Sequence, residues 1–169
     1  MAHAGGTPAV YGHSSGAIIA LLAVAGGLGV SRVAAYEPPW AVGADGHRGA
    51  GMAERVRALV AEGRHADAVE AFVGPGLPPP VLAGMAPMAP TLLQDLAVGD
   101  QRLPTDRLAT IGVPALLLDG GESDAWAHDA VAAAAAAIPG AEHRTIPGQG
   151  HGVDHQALEP VLAAFLACS

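Results

Sequence analysis

Seven residues near the start of the chain, Val10-Tyr11-Gly12-His13-Ser14-Ser15-Gly16, constrain its fold more than any other stretch of the 169-residue sequence. The short apolar run Ala9-Val10-Tyr11 ends at Gly12, and from Ala17 to Ala25 the pattern is that of a buried helix closed by Gly26-Gly27. This reads as strand, tight turn, helix. Glycines at 12 and 16 allow a sharp turn and a close approach of strand to helix, so the Ser14 hydroxyl projects from the turn. The helix N-terminus then faces that hydroxyl, and the Ser15 backbone N–H points where an oxyanion would form. The alternative is an ordinary glycine-rich turn with no chemistry.

Beyond this unit, Ser31 to Tyr36 reads as a second strand, stopped by Glu37-Pro38-Pro39 because proline cannot donate to a ladder. Val113-Pro114-Ala115-Leu116-Leu117-Leu118 is a continuous apolar run, as in a parallel strand covered on both faces. A helix is expected over Ala125 to Ile138, a short strand over Glu142 to Ile146 and an amphipathic helix over Gln156 to Ala167. Strands alternating with helices predict an α/β domain with a parallel sheet. Residues 41–104 differ in kind. Helical patterns at Met52 to Glu62, Ala66 to Phe72 and Thr91 to Val98 surround the Pro/Gly/Met-rich stretch Gly74 to Pro90. Such a segment suits either a lid over a pocket or a plain surface insertion.

Composition excludes several classes. All eight basic residues are arginine against sixteen acidic ones, and a net charge of -8 offers no footprint for nucleic acid or anionic lipid. A hydrophobic fraction of 51% and a mean hydropathy of +0.35 argue for a folded core. Cys168 is the only cysteine, so no intrachain disulfide forms, and a cytoplasmic location is expected. The apolar run Ala17 to Val30, broken by glycines, is too short for a membrane span. Gly12 to Gly16 lacks the Lys-Ser/Thr ending of a phosphate-binding loop, and no HExxH pair suggests a metal.

Taken together, "VYGHSSG", "VAAYEPP", "VPALLLDGGESD" and "IPGQGH" resemble, in order, the nucleophile elbow, the next strand, the acid loop and the histidine loop of the α/β-hydrolase fold family. The resemblance runs from Pro8 to the C-terminus. It implies a partial α/β-hydrolase fold, with a mostly parallel sheet flanked by helices and a helical lid over residues 41–104. It also implies a catalytic triad with Ser14 as nucleophile and His151 as general base, preferred by position over His143 and His155. Asp124 is the acid it implies, and Ser15 supplies an oxyanion N–H. An Asp before a helix is also a good N-cap, so Asp124 has a purely structural alternative. Glu37, at the end of the strand after the elbow, is the alternative acid; Asp119 and Glu122 are weaker ones. Serine at the elbow disfavours the dehalogenases and epoxide hydrolases of this fold, which need a carboxylate there.

In the family several strands precede the elbow strand, and one of their loops supplies the second oxyanion donor. Here only Met1 to Thr7 do. Loss of one donor costs about two to three orders of magnitude in rate. Three expectations follow. Met1-Ala2-His3-Ala4-Gly5-Gly6 reads as a helix end with its glycine cap, and Met1 as an internal methionine or late start. The elbow strand lies at a sheet edge, which invites a homodimer. The activity implied is hydrolysis of an ester, thioester or lactone through an acyl-enzyme, without a cofactor, on a small apolar substrate met by Leu77, Leu82, Met85, Met88, Leu92 and Leu93. A non-catalytic homologue that binds a small ligand or a partner chain is the rival.

Overall fold

The computed structural model describes residues 7–43, 50–99 and 101–167. The expected helix end at Met1 to Gly6 lies outside them, as does Cys168. Four strands form one parallel sheet in chain order: β1 (Val10–His13), β2 (Val33–Tyr36), β3 (Ala115–Gly120) and β4 (Glu142–Ile146). Each crossover carries helix, as parallel pairing demands: α1 (Ser15–Ala25) after β1, a helical insertion after β2, α7 (Ala125–Ala137) after β3, and α8 (His155–Ala167) at the end. The insertion comprises α2 (Ala50–Ala61), α3 (His65–Val73), α4 (Pro79–Met85), a 3-10 helix (Ala86–Thr91), α5 (Leu92–Gly99) and α6 (Thr105–Leu108).

The continuous apolar reading of the central strands is met: every residue of β2 and β3 is buried. On one face Val33, Ala35, Ala115 and Leu117 pack against Ile18, Leu21 and Val24 of α1 and Val131 and Ala134 of α7. On the other, Ala34, Tyr36, Leu116 and Leu118 meet Leu158 and Phe165 of α8. Full burial of a side chain such as Ile18 or Leu21 stabilises by about 1.5–3 kcal/mol, so this double-faced core holds the strand ends where the site is built. β1 pairs only with β2 within the described sheet, and β4 forms the other edge with four of its five residues exposed.

The insertion has a core of its own, centred on Val56, Leu59, Ala68, Val69, Ala89 and Leu92. The Pro/Gly/Met-rich stretch Gly74 to Pro90 contains α4 and nearly all of the 3-10 helix. Pro79 and Pro80 open α4, where a missing N–H is harmless. The whole stretch Pro79–Gly99 also has the length and apolar composition to cross a membrane, which the shorter run at Ala17 to Val30 did not foreshadow. It is folded here as three successive helical pieces with Pro90 inside the 3-10 turn, and it contributes Ala89 and Leu92 to the insertion core.

Candidate active site

The turn between β1 and α1 has the predicted geometry. Ser14 is held at φ 54°, ψ -126°, a region that side-chain-bearing residues rarely adopt. Its N–H donates to Tyr36 O at 2.9 Å, anchoring the turn to β2. The two glycines are unequal. A Cβ on Gly12 would lie 2.3 Å from Gly16 O, whereas one on Gly16 would meet nothing within 4 Å. Close strand-to-helix approach therefore requires only Gly12. Ser15 is the first residue of α1, among the N–H groups a helix leaves without an intrahelical acceptor, which suits it to the oxyanion position.

His151 lies in the loop after β4, and its Nε2 accepts the Ser14 Oγ hydrogen at 3.1 Å. Its Nδ1–H donates to Glu37 Oε2 at 2.6 Å. That donation leaves Nε2 unprotonated and turned towards the serine. Glu37 follows β2 directly, has a φ of 44° and is fully buried. Burial pushes its carboxyl up, but hydrogen bonds from His151, Ser123 Oγ and the Gly120 N–H (2.8 Å) outweigh that and bring it below its ordinary value. Ser14 and Glu37 are the two non-glycine residues with positive φ among those described, so the backbone is strained at two of the three positions in this line.

The expectation that Asp124 meets the imidazole is corrected. Asp124 is exposed at the N-cap position of α7, and its Oδ2 accepts the Trp126 indole N–H at 3.3 Å. Glu37 occupies the Nδ1 side because β2 pairs with β3 in a register that puts Tyr36 beside Leu118 and brings the Gly120 N–H onto Glu37. Glu122 is exposed, and Asp119 faces two other histidines, accepting from His128 Nδ1 at 2.8 Å and His143 Nε2 at 3.1 Å. His155 is exposed beside Asp154, so the preference for His151 over His143 and His155 agrees with the geometry.

Two side chains beneath the site clip the histidine loop. The Tyr36 hydroxyl donates to Gly150 O at 2.6 Å, and His13 Nε2–H donates to His151 O at 2.8 Å. Burial, and then the neighbouring His151, hold His13 below the ordinary histidine value, which favours its neutral form. Gly120 leaves room for this loop: a Cβ there would lie 2.2 Å from Gln149 O. Sequence reasoning missed His13 and Tyr36 as loop supports. Only the position of His13 inside the elbow hinted at it.

Ser14 and His151 open into a cavity of about 460 Å3. Pro39, Trp40, Trp126 and Gly152 from the sheet side, and Met52, Phe72, Val73, Asp95, Leu96 and Gly99 from the insertion, also line it. Of the six insertion residues expected to meet an apolar substrate, none lines this cavity. Leu77, Leu82, Met85, Leu92 and Leu93 pack on the insertion core instead, and Met88 is exposed. Among the described residues no group of three histidine, cysteine or carboxylate side chains could hold a metal ion.

The comparisons agree with this architecture. The model of the alpha/beta hydrolase family matches residues 2–164. An alpha/beta hydrolase from Sphaerobacter thermophilus is 42% identical, with a TM-score of 0.80 over 95% of this chain and 68% of that one. A hydrolase from Oleispira antarctica is 20% identical (TM-score 0.74, 96% and 66% covered), and an esterase from Exiguobacterium antarcticum 18% (TM-score 0.68, 94% and 66%). The chain spans about two thirds of the length of these solved structures. No curated protein matches it. With most of its length matched by the family model and by a solved structure of high identity, the chain belongs to the α/β hydrolase family.

Proposed function

We propose that the protein is a serine hydrolase acting on a carboxylic ester, thioester or lactone, with Ser14, His151 and Glu37 as its triad. The observation that carries this reading is the unbroken hydrogen-bonded line from buried Glu37 through His151 to Ser14 at the mouth of an apolar cavity. In the first step Ser14 Oγ attacks the substrate carbonyl carbon while His151 Nε2 takes the hydroxyl proton. Glu37 remains ionised and stabilises the imidazolium. The Ser15 N–H donates to the oxyanion. The imidazolium then protonates the departing alcohol, thiol or lactone oxygen, leaving an acyl-serine. Water, deprotonated by the same imidazole, releases the acid and restores Ser14.

The insertion acts in this reading as a lid, since Met52, Phe72, Val73, Asp95, Leu96 and Gly99 from its helices wall the cavity. The mostly apolar wall suits a small acyl or alcohol group. A fluorophosphonate probe tests the proposal directly. Labelling of the wild-type chain, absent in Ser14→Ala and His151→Ala, is the expected outcome. No labelling of well-folded wild-type protein would reject it in favour of a ligand-binding homologue.

A further inference from the structure

Among the described residues, Asp95 on α5 is the one carboxylate lining the cavity, and none of them that lines it is an arginine. Its Oδ1 accepts the Ser15 hydroxyl hydrogen at 2.7 Å, which fixes the carboxylate beside the residue that follows the nucleophile. The neighbouring walls are aromatic or soft. Aromatic residues make up only 4% of the chain, yet both tryptophans and one of the two phenylalanines, Phe72, border this cavity together with Met52. Trp126 meets His151 edge-on at 5.6 Å between ring centroids.

A carboxylate in the wall of a mostly apolar cavity discriminates by charge, because it attracts a cation and repels an anion. Aromatic faces attract cations, quaternary ammonium groups above all. One feature pulls the other way: α1 begins at Ser15, and a helix N-terminus carries the equivalent of about half a positive charge. Asp95 brings a full negative charge to that same spot, so the local field keeps the sign of the carboxylate. His13, the other titratable wall residue outside the triad, is biased to its neutral form and does not offset it. We infer that the site selects esters bearing a cationic group over uncharged esters of the same shape, with Asp95 as the residue that determines this specificity. The inference rests on the hydrolase reading above for its reaction, though not for its binding.

Choline and 3,3-dimethylbutan-1-ol have the same shape and differ in charge, and the two tryptophans at the cavity report binding by fluorescence. Wild-type protein is expected to bind choline about tenfold more tightly than the neutral alcohol, a preference lost in Asp95→Asn and Asp95→Ser. The acetate esters of the same two alcohols extend the test to turnover: kcat/KM for the cationic ester exceeds that for the neutral one about tenfold in wild type and approaches it in both variants. Equal binding and equal turnover of the pair by wild type, or a preference that survives in both variants, overturns the inference and leaves the hydrolase reading intact. Discrimination in binding, with cleavage of neither ester and no fluorophosphonate labelling, rejects the hydrolase reading and upholds the cation site.

Discussion

Two buried carboxylates, Glu37 and Asp119, stand at the C-terminal ends of neighbouring strands, and both accept hydrogen bonds from imidazole. They are the buried charged residues among those described, and hydrogen bonds hold both below their ordinary values although burial alone would raise them. The difference lies in what the histidines do next. His151 turns its second nitrogen to the Ser14 hydroxyl at the cavity, so the charge of Glu37 reaches a reacting atom. Asp119 instead joins His128 of α7 to His143 of β4, with no serine in line. The same acid–imidazole pair is thus an arm of the proposed triad in one place and a tie between a helix and an edge strand in the other. A buried carboxylate with a histidine is not itself a sign of catalysis; the third partner decides.

Substitutions can break this contrast, and the largest effect is expected at Glu37. Glu37→Gln should lower kcat/KM on an ester substrate by about three to four orders of magnitude, since an amide cannot hold the imidazole tautomer or its cation. Asp124→Asn should change it less than about threefold, and equal losses in the two would restore Asp124 as the acid. Asp119→Asn should leave fluorophosphonate labelling in place but lower the urea midpoint modestly, because the partly exposed His128 and His143 lose a buried, charged acceptor. Ser123→Ala removes one of the hydrogen bonds to buried Glu37 and should reduce kcat about tenfold, with a small fall in the urea midpoint.

The smallest effect concerns pH. The hydrogen bond to Asp119 raises His128 above its ordinary value of about 6.5. Its contribution to stability is therefore complete below that value and is lost as pH rises through the higher folded-state value. Asp119, lowered on folding, contributes above its ordinary value of about 3.9 and loses that contribution as pH falls through its folded-state value. In His128→Gln the decline in urea midpoint above pH about 6.5 should flatten. A decline of unchanged size would show that the Asp119 tie does not carry it.

Legibility in the sequence followed the range of the interactions. The elbow is local: β1, Ser14 and α1 adjoin in the chain, and the strain at Ser14 comes from a turn whose residues can be read off directly. β3 was equally plain, since burial on both faces leaves an unbroken apolar run. The stretch from Gly74 to Pro90 was legible only as rich in proline, glycine and methionine; its prolines open α4 and sit in a 3-10 turn supported by the insertion core. Gly16 misled: it looked essential to the turn, yet the space beside it is open.

By itself the sequence determined the α/β order of elements and the serine at the elbow, because each follows from periodicity or turn chemistry over a few residues, while the histidine loop came from its resemblance to the family. Tertiary structure alone decided which carboxylate meets His151. Glu37 and Asp124 each sit where a chain of this family could supply an acid, and no local pattern separates them. The choice was made by the pairing of β2 with β3, which turns the Gly120 N–H and Ser123 onto Glu37, 114 positions before its histidine, while Asp124 remains outside at the start of α7. Solvation completes the reason: a buried acid keeps its charge only where several donors converge, and that convergence exists only once the sheet is assembled.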